Sequence, residues 1–295
     1  MNKEDILRIF VAFPIIIMVA AGLAAAGSQN GAIEFGFPIF GLAIALAFII
    51  QWLAFLPAYA LKTEKFYDLT GSLTYLSVTA LAVFLSPSPD GRAWLLFAMV
   101  AVWAVRLGSF LFLRIRSAGE DRRFREIKQS FSRFLIAWTL QGLWVAFSLA
   151  AALAAITSQM RVELGLFALA GFLVWAFGFA VEVIADRQKS AFKARPENEG
   201  KFITTGLWAW SRHPNYFGEI VLWIGVLIIT VPVLNGWQWV ALISPIFITL
   251  LLTRISGIPM LEARADEKWG GQAEYEQYKA STPMLVPRPP KKGVE

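Results

Sequence analysis

The stretch W-A-W-S-R-H-P-N-Y-F-G-E occupies residues 208–219 and runs directly into the apolar stretch I-V-L-W-I-G-V-L-I-I-T-V at residues 220–231. Five of its polar side chains fall within eight residues and are Arg212, His213, Asn215, Tyr216 and Glu219. An apolar run that continues to residue 234 is long enough for a membrane-spanning helix. The stretch therefore marks the point at which a polar loop enters a membrane.

The start of this helix is predicted at Pro214 or Asn215, because proline lacks an N–H and disfavours a helical residue before it. Ser211 and Asn215 can cap the free amides. Arg212 and His213 then lie beside the positive end of the helix dipole, which favours an anion such as phosphate. A capped membrane helix with interfacial aromatic residues would explain the same stretch, and on this stretch alone both interpretations remain open.

Apolar runs of similar length recur through all 295 residues, and the mean hydropathy is +0.57 with only 16% charged residues. This composition predicts an all-α protein, a polytopic transmembrane helical bundle that forms a single integral membrane domain. The eight predicted spans are residues 6–26, 37–61, 67–86, 94–115, 134–156, 164–185, 216–234 and 237–255. The first is interpreted as a retained helix, not a cleaved signal peptide. No strand pattern and no G-x-G-x-x-G motif occurs, which excludes a Rossmann domain.

The distribution of cations predicts the orientation. If the N-terminus is cytoplasmic, the four outward connections contain only Arg92 and Arg161 of the 27 Lys and Arg residues. This asymmetry follows the positive-inside rule, requires an even number of spans and places both termini in the cytoplasm. The net charge of +6 lies in loops beside the membrane, so membrane lipids and not nucleic acid are the expected partners.

The residues that are absent exclude several chemistries. The chain has no cysteine and one histidine. Disulfides, thiol nucleophiles, cysteine-ligated zinc and iron–sulfur centres are therefore excluded, and no metal site is expected.

Three polar residues within or beside the spans are functional candidates. Arg106 lies inside the fourth span, where an arginine is a functional-site candidate with a partner in the bundle. Asp68 and Glu64, at the start of the third span, are the possible partners, and for Asp68 a helix N-cap is the alternative that the sequence leaves open. Gln51 lies in the second span, where an interhelical hydrogen bond is the commoner role.

Charged residues also follow the fourth and sixth spans. Arg114 and Arg116 begin an arginine-rich loop, which composition favours as a collar on anionic lipids over a clamp for a polyanionic ligand. Glu182 and Asp186 share one helix face, and this arrangement costs energy unless ribose hydroxyls, an adenine amine or an arginine donates to them. Lys189 and Arg195 belong to the cytoplasmic loop that follows.

Longer motifs give a family resemblance. The order G-x-F-I-T-T-G-L-W-A-W-S-R-H-P-N-Y-F-G-E, two apolar spans, M-L-E-A-R and Y-E-Q-Y-K resembles the superfamily of steroid 5-alpha-reductases, sterol reductases and isoprenylcysteine carboxyl methyltransferases. Within it, the chain looks most like bacterial members of the steroid 5-alpha-reductase group. The resemblance covers residues 67–295, and this catalytic membrane domain would follow two N-terminal transmembrane helices in residues 1–66. The animal enzymes have seven helices, which makes seven spans the alternative to eight.

The resemblance implies a bacterial inner-membrane enzyme, acting as a monomer, that uses NADPH to reduce the C4=C5 bond of a 3-oxo-4-ene steroid or a sterol-like lipid. Asn215 and Glu219 match the family's A-N-F-L-G-E dinucleotide site. Asp186 matches the aspartate that ends the preceding helix, where Glu182 replaces an asparagine. Arg106 matches the arginine of the family's third-helix motif.

The acid is the point of departure from the family. Asp68 lies where the animal enzymes carry the glutamate that faces the steroid ketone, but Trp103 aligns with the tyrosine paired with that glutamate. Either Tyr67 substitutes for this tyrosine or Asp68 acts alone. Hydride addition at C5 places charge on the C3 oxygen, so a neutral acid held there would be the main catalytic requirement.

These arguments define three predicted sets of residues. The catalytic residues are Asp68, Tyr67 and Arg106. The substrate-binding residues are Trp103 and Gln51. The cofactor-binding residues are Arg114, Arg116, Glu182, Asp186, Lys189, Arg195, Trp208, Ser211, Arg212, His213, Asn215, Tyr216, Glu219, Glu262 and Arg264.

Two other functions remain as alternatives. An S-adenosylmethionine-dependent methyltransferase acting on a prenylcysteine or a lipid would share the R-H-P-N-Y run. A non-enzymatic lipid-binding membrane protein would share the composition. Asp68, Arg106 and the carboxylate pair of the sixth span favour the reductase.

Overall fold

The computed structural model describes residues 3–290, which form helices almost throughout. Within that range, eight helices are long and apolar enough to cross a membrane, so the predicted eight-span helical membrane protein is confirmed. The described residues contain one small sheet, in which β1 (Ile33–Glu34) pairs antiparallel with β2 (Phe37–Pro38). They form no Rossmann-like sheet, as predicted.

The elements follow one another along the chain with short connections. The α-helices are α1 (Lys3–Leu7), α2 (Phe13–Gly27), α3 (Ile39–Ala60), α4 (Tyr67–Leu85), α5 (Gly91–Ala118), α6 (Phe131–Thr157), α7 (Leu166–Lys193), α8 (Pro214–Thr230), α9 (Ile243–Leu250), α10 (Ile258–Trp269) and α11 (Ala273–Ser281). The π-helical turns are Arg8–Ala12 and Leu251–Ile255. The 3₁₀ segments are Arg122–Phe124, Ile127–Gln129, Pro196–Asn198, Gly206–Ala209, Val231–Val233 and Gly236–Leu242.

The chain forms two compact units. Unit 1 comprises Met1–Ala168 and Ile229–Ser244, and unit 2 comprises Leu169–Ile228 and Pro245–Glu295.

Unit 1 is centred on α6, which packs against α3 and α4. Residues 149–157 of α6 are all buried and are mostly alanine. A helix that is apolar on every side belongs in a protein interior, and small side chains allow its neighbours to approach closely. Towards the other end of α6, Phe134 and Trp138 are fully buried, and the Phe134 ring lies 5.9 Å from that of Phe55. This edge-to-face aromatic layer continues the core.

Arg92, one of the two cations predicted in an outward connection, is buried inside unit 1. Its guanidinium donates to the carbonyl oxygens of Val162 and Glu163, each at 3.1 Å, and to that of Ile229 at 3.2 Å. These three bonds to its two terminal nitrogens offset part of the cost of burying the arginine. Arg92 therefore has a structural role, which explains why an arginine lies in a predicted outward connection.

In unit 2, α7 and α8 approach each other at glycines. A Cβ added to Gly178 would lie 2.5 Å from the backbone nitrogen of Leu222, and one added to Gly218 would lie 2.5 Å from the carbonyl oxygen of Gly178. These distances leave no space for a side chain, so the two backbones are in contact. Glycine is the residue that permits such an approach between membrane helices. The contact fixes the position of α8, which begins within the R-H-P-N-Y run at Pro214.

Candidate functional site

The polar loop before α8 is held against the C-terminal part of α7. The Trp208 side chain is buried and its Nε1 donates to the carbonyl oxygen of Ala185 at 3.0 Å. The Leu207 amide donates to Oε1 of Gln188 at 2.9 Å. Gly206 has φ +63°, a left-handed conformation that glycine adopts without strain. The loop is thus anchored before it reaches Arg212.

The segment after α11 holds the other side of this loop. The Arg212 amide donates to the carbonyl oxygen of Pro283 at 2.9 Å, and the Ser211 hydroxyl donates to that of Leu285 at 2.8 Å. The Ser211 oxygen also accepts from the His213 amide at 3.1 Å. Helix α8 begins at Pro214, as predicted. The sharp turn and its cap therefore direct the side chains of residues 212 and 213.

Arg212 and His213 converge on Glu262 of α10. The Arg212 Nη1 lies 2.8 Å from Glu262 Oε2, and His213 Nε2 lies 2.7 Å from Glu262 Oε1. The His213 ring stacks on the ring of Tyr216, with centroids 5.8 Å apart. One carboxylate thus holds both the arginine and the histidine of the motif.

Burial fixes the protonation state of this histidine. Desolvation lowers the pKa of His213, and the cations Lys189 and Arg212 lower it further, against the opposing effect of Glu262. The lowered pKa favours the neutral imidazole at pH 7, and a hydrogen bond to the Glu262 carboxylate then requires the proton on Nε2. Nδ1 is then a buried acceptor, and no hydrogen-bond donor reaches it in the described part of the chain.

These residues line a cavity of about 300 Å³ in unit 2, the cationic cavity. Its charged side chains are Lys189, Lys193, Lys201, Arg212, Arg264 and Lys268 with a single carboxylate, Glu262, among the described residues. Aromatic and aliphatic side chains form most of the remaining lining, and the Lys189 ammonium lies 4.3 Å from the Trp208 ring centre. A cavity with this balance of charge suits an anionic ligand.

The structure places six predicted cofactor residues together around the cationic cavity: Lys189, Trp208, Arg212, His213, Glu262 and Arg264. The predicted residues of unit 2 that are not among its lining are Glu182, Asp186, Arg195, Ser211, Asn215, Tyr216 and Glu219. Of these, Glu182 and Asp186 are buried on α7, whereas Arg195 is exposed. Their cofactor roles stay predictions.

Three lysines of the cavity were missed at the sequence level. Lys193 follows Lys189 by four residues on α7, and Lys268 follows Arg264 by four residues on α10. This spacing places each pair on one helix face, so it was a usable signal. Lys201 gave no such signal, because it lies in an irregular segment.

In unit 1, the predicted catalytic residues lie near the start of α4. The Tyr67 hydroxyl donates to the carbonyl oxygen of Ala137 at 2.9 Å, and its ring lies 5.0 Å from that of Trp138. Asp68 is in the first turn of α4, and its carboxylate is 3.9 Å from the Arg123 guanidinium. The N-cap position belongs to Phe66, so Asp68 is not the N-cap.

The other predicted residues of unit 1 lie in the interior or on α5. Gln51 is buried and its Nε2 donates to the Thr74 hydroxyl at 2.8 Å, which is an interhelical hydrogen bond. Trp103 is buried against Tyr75, with ring centroids 4.9 Å apart. Arg106 and Arg114 flank the ring of Phe110 at 5.3 and 6.0 Å, and Arg116 is exposed near the end of α5. Their catalytic, substrate or cofactor roles stay predictions.

The arginine-rich loop after α5 is held by its own carboxylates. The Glu64 side chain is buried and accepts from Lys128 Nζ at 2.7 Å and from the Asp121 amide at 2.9 Å. The Arg123 Nε lies 2.8 Å from Asp121, and Arg125 is paired with Glu120. Arg123 lowers the pKa of Asp121, although burial alone would raise it. These cations are therefore engaged within the chain.

The family follows from a sequence comparison. The profile of the family described as "Protein of unknown function (DUF1295)" matches residues 54–282, which is most of the chain. The chain belongs to this family. DUF1295 is part of the steroid 5-alpha-reductase-like superfamily, so the resemblance seen in the motifs is confirmed.

Two curated relatives point to different chemistries. The chain is 30% identical to "Steroid 5-alpha-reductase DET2" of Gossypium hirsutum over 119 residues, 40% of this chain and 41% of the relative. It is 41% identical to "Probable O-methyltransferase ustE" of Ustilaginoidea virens over 46 residues, 16% of each protein. The chain thus spans less than half of either relative, and no solved structure matches it. These similarities identify a membrane protein that is reductase-like or methyltransferase-like.

Proposed function

We propose that this chain is a membrane-embedded, NADPH-dependent reductase that reduces the C4=C5 bond of 3-oxo-4-ene steroids or of similar flat lipids. The observation that supports this proposal best is the cationic cavity of unit 2. Six Lys and Arg side chains line it against Glu262 alone among the described residues. The partial similarity to a plant steroid 5-alpha-reductase agrees with it.

The charge of the cavity favours NADPH over S-adenosylmethionine. NADPH carries a diphosphate and a 2′-phosphate, and a guanidinium such as that of Arg212 presents two parallel donors to such groups. S-adenosylmethionine carries a sulfonium, an amine and one carboxylate, so six surrounding cations would oppose its binding. The buried Nδ1 of His213 adds a neutral acceptor, which a ribose hydroxyl could satisfy. The residues present therefore fit a phosphorylated nucleotide.

When bound, NADPH would supply the hydride, and the chain would orient it and exclude water. The substrate needs a group that stabilises negative charge on its C3 oxygen. We assign this role to Asp68 in preference to Tyr67, because the Tyr67 hydroxyl proton is already donated to Ala137. The Asp68 carboxyl lies 3.9 Å from the Arg123 guanidinium, and it must carry a proton in order to donate to the C3 oxygen.

The first experiment measures which cofactor stabilises the purified protein. NADPH should raise the melting temperature more than NADH does, and S-adenosylmethionine should leave it unchanged. Stabilisation by S-adenosylmethionine alone would overturn the reductase proposal. The second experiment follows turnover of a 3-oxo-4-ene steroid. Asp68→Asn should retain NADPH binding and lose turnover by about a hundredfold or more, the typical contribution of a positioned acid. Unchanged turnover would remove Asp68 from the site.

A lipid or prenylcysteine O-methyltransferase is the second candidate. Its support is the 46-residue similarity to a probable O-methyltransferase and the R-H-P-N-Y run that both enzyme groups share. The cofactor experiment distinguishes the two candidates, since the reductase requires NADPH and the methyltransferase requires S-adenosylmethionine.

We further propose that the protein acts as a monomer in a bacterial inner membrane, with both termini in the cytoplasm. The orientation is supported by the asymmetry of Lys and Arg between alternate connections. In this orientation the cationic cavity would take its cofactor from the cytoplasm. Residues 67–295 would form the catalytic part, preceded by two N-terminal spans.

A further inference from the structure

Unit 2 contains a second cavity, of about 660 Å³, that none of the predicted cofactor residues lines. It is formed by the segment at residues 200–209, by Trp269 at the end of α10 and by the outer face of α11. Its volume lies within the range of about 300–1,000 Å³ that is usual for small-molecule sites. The size is therefore sufficient for a part of a nucleotide.

The lining differs in chemistry from that of the cationic cavity. Its charged side chains in the described residues are Lys201 and Glu274, which are of opposite sign. Hydrogen-bonding side chains of the lining include those of Gln272, Gln277 and Thr204. Aromatic side chains complete the walls. A flat, uncharged group with several hydrogen-bonding atoms suits such a lining, whereas a polyanion does not.

The two cavities share a wall. The residues that line both are Phe192, Lys201, Phe202, Trp269 and Tyr278. A single ligand could therefore place its charged part in the cationic cavity and a neutral, aromatic part in the second cavity.

The shared wall is held in place by hydrogen bonds. The Tyr278 hydroxyl donates to the carbonyl oxygen of Trp208 at 2.7 Å, and Trp269 Nε1 donates to that of Gly200 at 2.6 Å. The Phe202 ring lies 5.6 Å from the ring of Trp269. These contacts preorganise the aromatic surface before any ligand arrives.

We propose that the second cavity binds the adenine end of the cofactor's adenosine moiety, with the adenine on the aromatic wall and its polar edge towards Gln277, while the 2′-phosphate of NADPH lies on the side of Lys201 and the cationic cavity. The inference rests on the proposed function for the identity of the cofactor. Adenosine is common to NADPH and S-adenosylmethionine, however, so the assignment of the cavity holds for either enzyme class. Base stacking on aromatic side chains and hydrogen bonds to the base edge are the usual means of recognising a nucleobase.

The test compares NADPH with reduced nicotinamide mononucleotide, which lacks the adenosine half. Gln277→Leu preserves the approximate size of the side chain and removes its hydrogen bonds. It should weaken NADPH binding by about threefold to tenfold, the effect of one lost hydrogen bond, and leave the mononucleotide affinity unchanged. Thr204→Trp should obstruct the cavity and produce a larger loss for NADPH alone. Ala280→Leu, an exposed position of α11 outside the lining, is the matched control and should change neither affinity.

Equal weakening of both ligands, or unchanged NADPH binding in Thr204→Trp, would overturn the assignment while leaving the reductase proposal intact. If the wild-type protein binds only S-adenosylmethionine, the reductase proposal fails. The same two variants should then weaken S-adenosylmethionine binding, and the assignment of the cavity stands. If the wild-type protein binds neither cofactor, both proposals are wrong.

Discussion

Two clusters of cations in this protein have opposite surroundings. In unit 1, the loop after α5 carries cations that are paired with carboxylates, as Lys128 is with the buried Glu64. In unit 2, six cations line a cavity in which Glu262 is the one carboxylate among the described residues. Pairing cancels the field of the first cluster, whereas the second retains an excess of positive charge.

The difference shows why a count of arginines does not identify a ligand site. The loop after α5 is the densest run of charge in the chain. Its cations are nevertheless paired with carboxylates, so their role is structural. The cationic cavity draws its residues from α7, from the loop before α8 and from α10, so it leaves no dense run in the sequence.

Removing the buried carboxylate of unit 1 should produce the largest change. Glu64→Ala leaves the ammonium of Lys128 and the amide of Asp121 without their acceptor, which should lower the free energy of unfolding by about 3–5 kcal/mol. Chemical unfolding in detergent, followed by tryptophan fluorescence, measures this change. NADPH affinity of the folded protein should not change. Glu120→Ala, at the exposed pair with Arg125, is the control and should be close to neutral.

Removing a cation of the cationic cavity should instead affect NADPH binding more than the free energy of unfolding. Arg212→Met should weaken NADPH binding by about thirtyfold or more, since a buried charge pair typically costs at least 2 kcal/mol when one partner is truncated. Fluorescence titration with NADPH measures it. Arg125→Met, in the loop of unit 1, should bind NADPH like the wild type. Equal losses in the two variants would contradict the distinction between the clusters.

A lysine at the rim of the cationic cavity should have a smaller effect that depends on salt. Lys268 is exposed and its ammonium lies 4.7 Å from the ring centre of Trp269. Lys268→Gln should weaken NADPH binding by about twofold to fivefold at low ionic strength, as expected of an exposed ion pair. The difference from the wild type should disappear at about 1 M salt, where the Debye length is near 3 Å. A salt-independent difference would indicate a packing effect.

The smallest expected effect concerns the pH dependence of the free energy of unfolding, which should differ between the two clusters. Burial lowers the pKa of His213 below its ordinary 6.5, so the unfolded chain binds more protons between the two pKa values. The free energy of unfolding should therefore fall as the pH falls from 6.5 towards the folded pKa, and His213→Gln should remove this decline.

In unit 1 the corresponding group is Asp121, which affects stability at a lower pH than His213 does. Arg123 holds the pKa of Asp121 below its ordinary 3.8, so the stability that Asp121 contributes is present above pH 3.8 and is lost below it. Asp121→Asn should change the pH dependence of the free energy of unfolding below pH 3.8. It should leave the decline that His213 causes below pH 6.5 unchanged. Chemical unfolding at a series of pH values measures both variants. If Asp121→Asn also removed the decline in stability below pH 6.5, the two clusters would not be independent.

Much of the site could be found from the sequence because a few residue types are unusual in a membrane protein. His213 is the only histidine, and Pro214 after it fixes the start of α8, so the R-H-P-N-Y run was recognisable. The partner of His213 was harder to identify. Glu262 lies 49 residues further on, and nothing local to it predicts a contact with that ring.

The eight spans, the helical class and the family could be predicted without a structure, because apolar runs, charge asymmetry and short motifs are local properties of the chain. The tertiary structure alone decided which cations are neutralised and which line a cavity. That outcome depends on distances between residues far apart in sequence, such as Glu64 to Lys128 and His213 to Glu262. Electrostatic interactions depend on distance and burial in the folded chain, and the order of residues does not specify either.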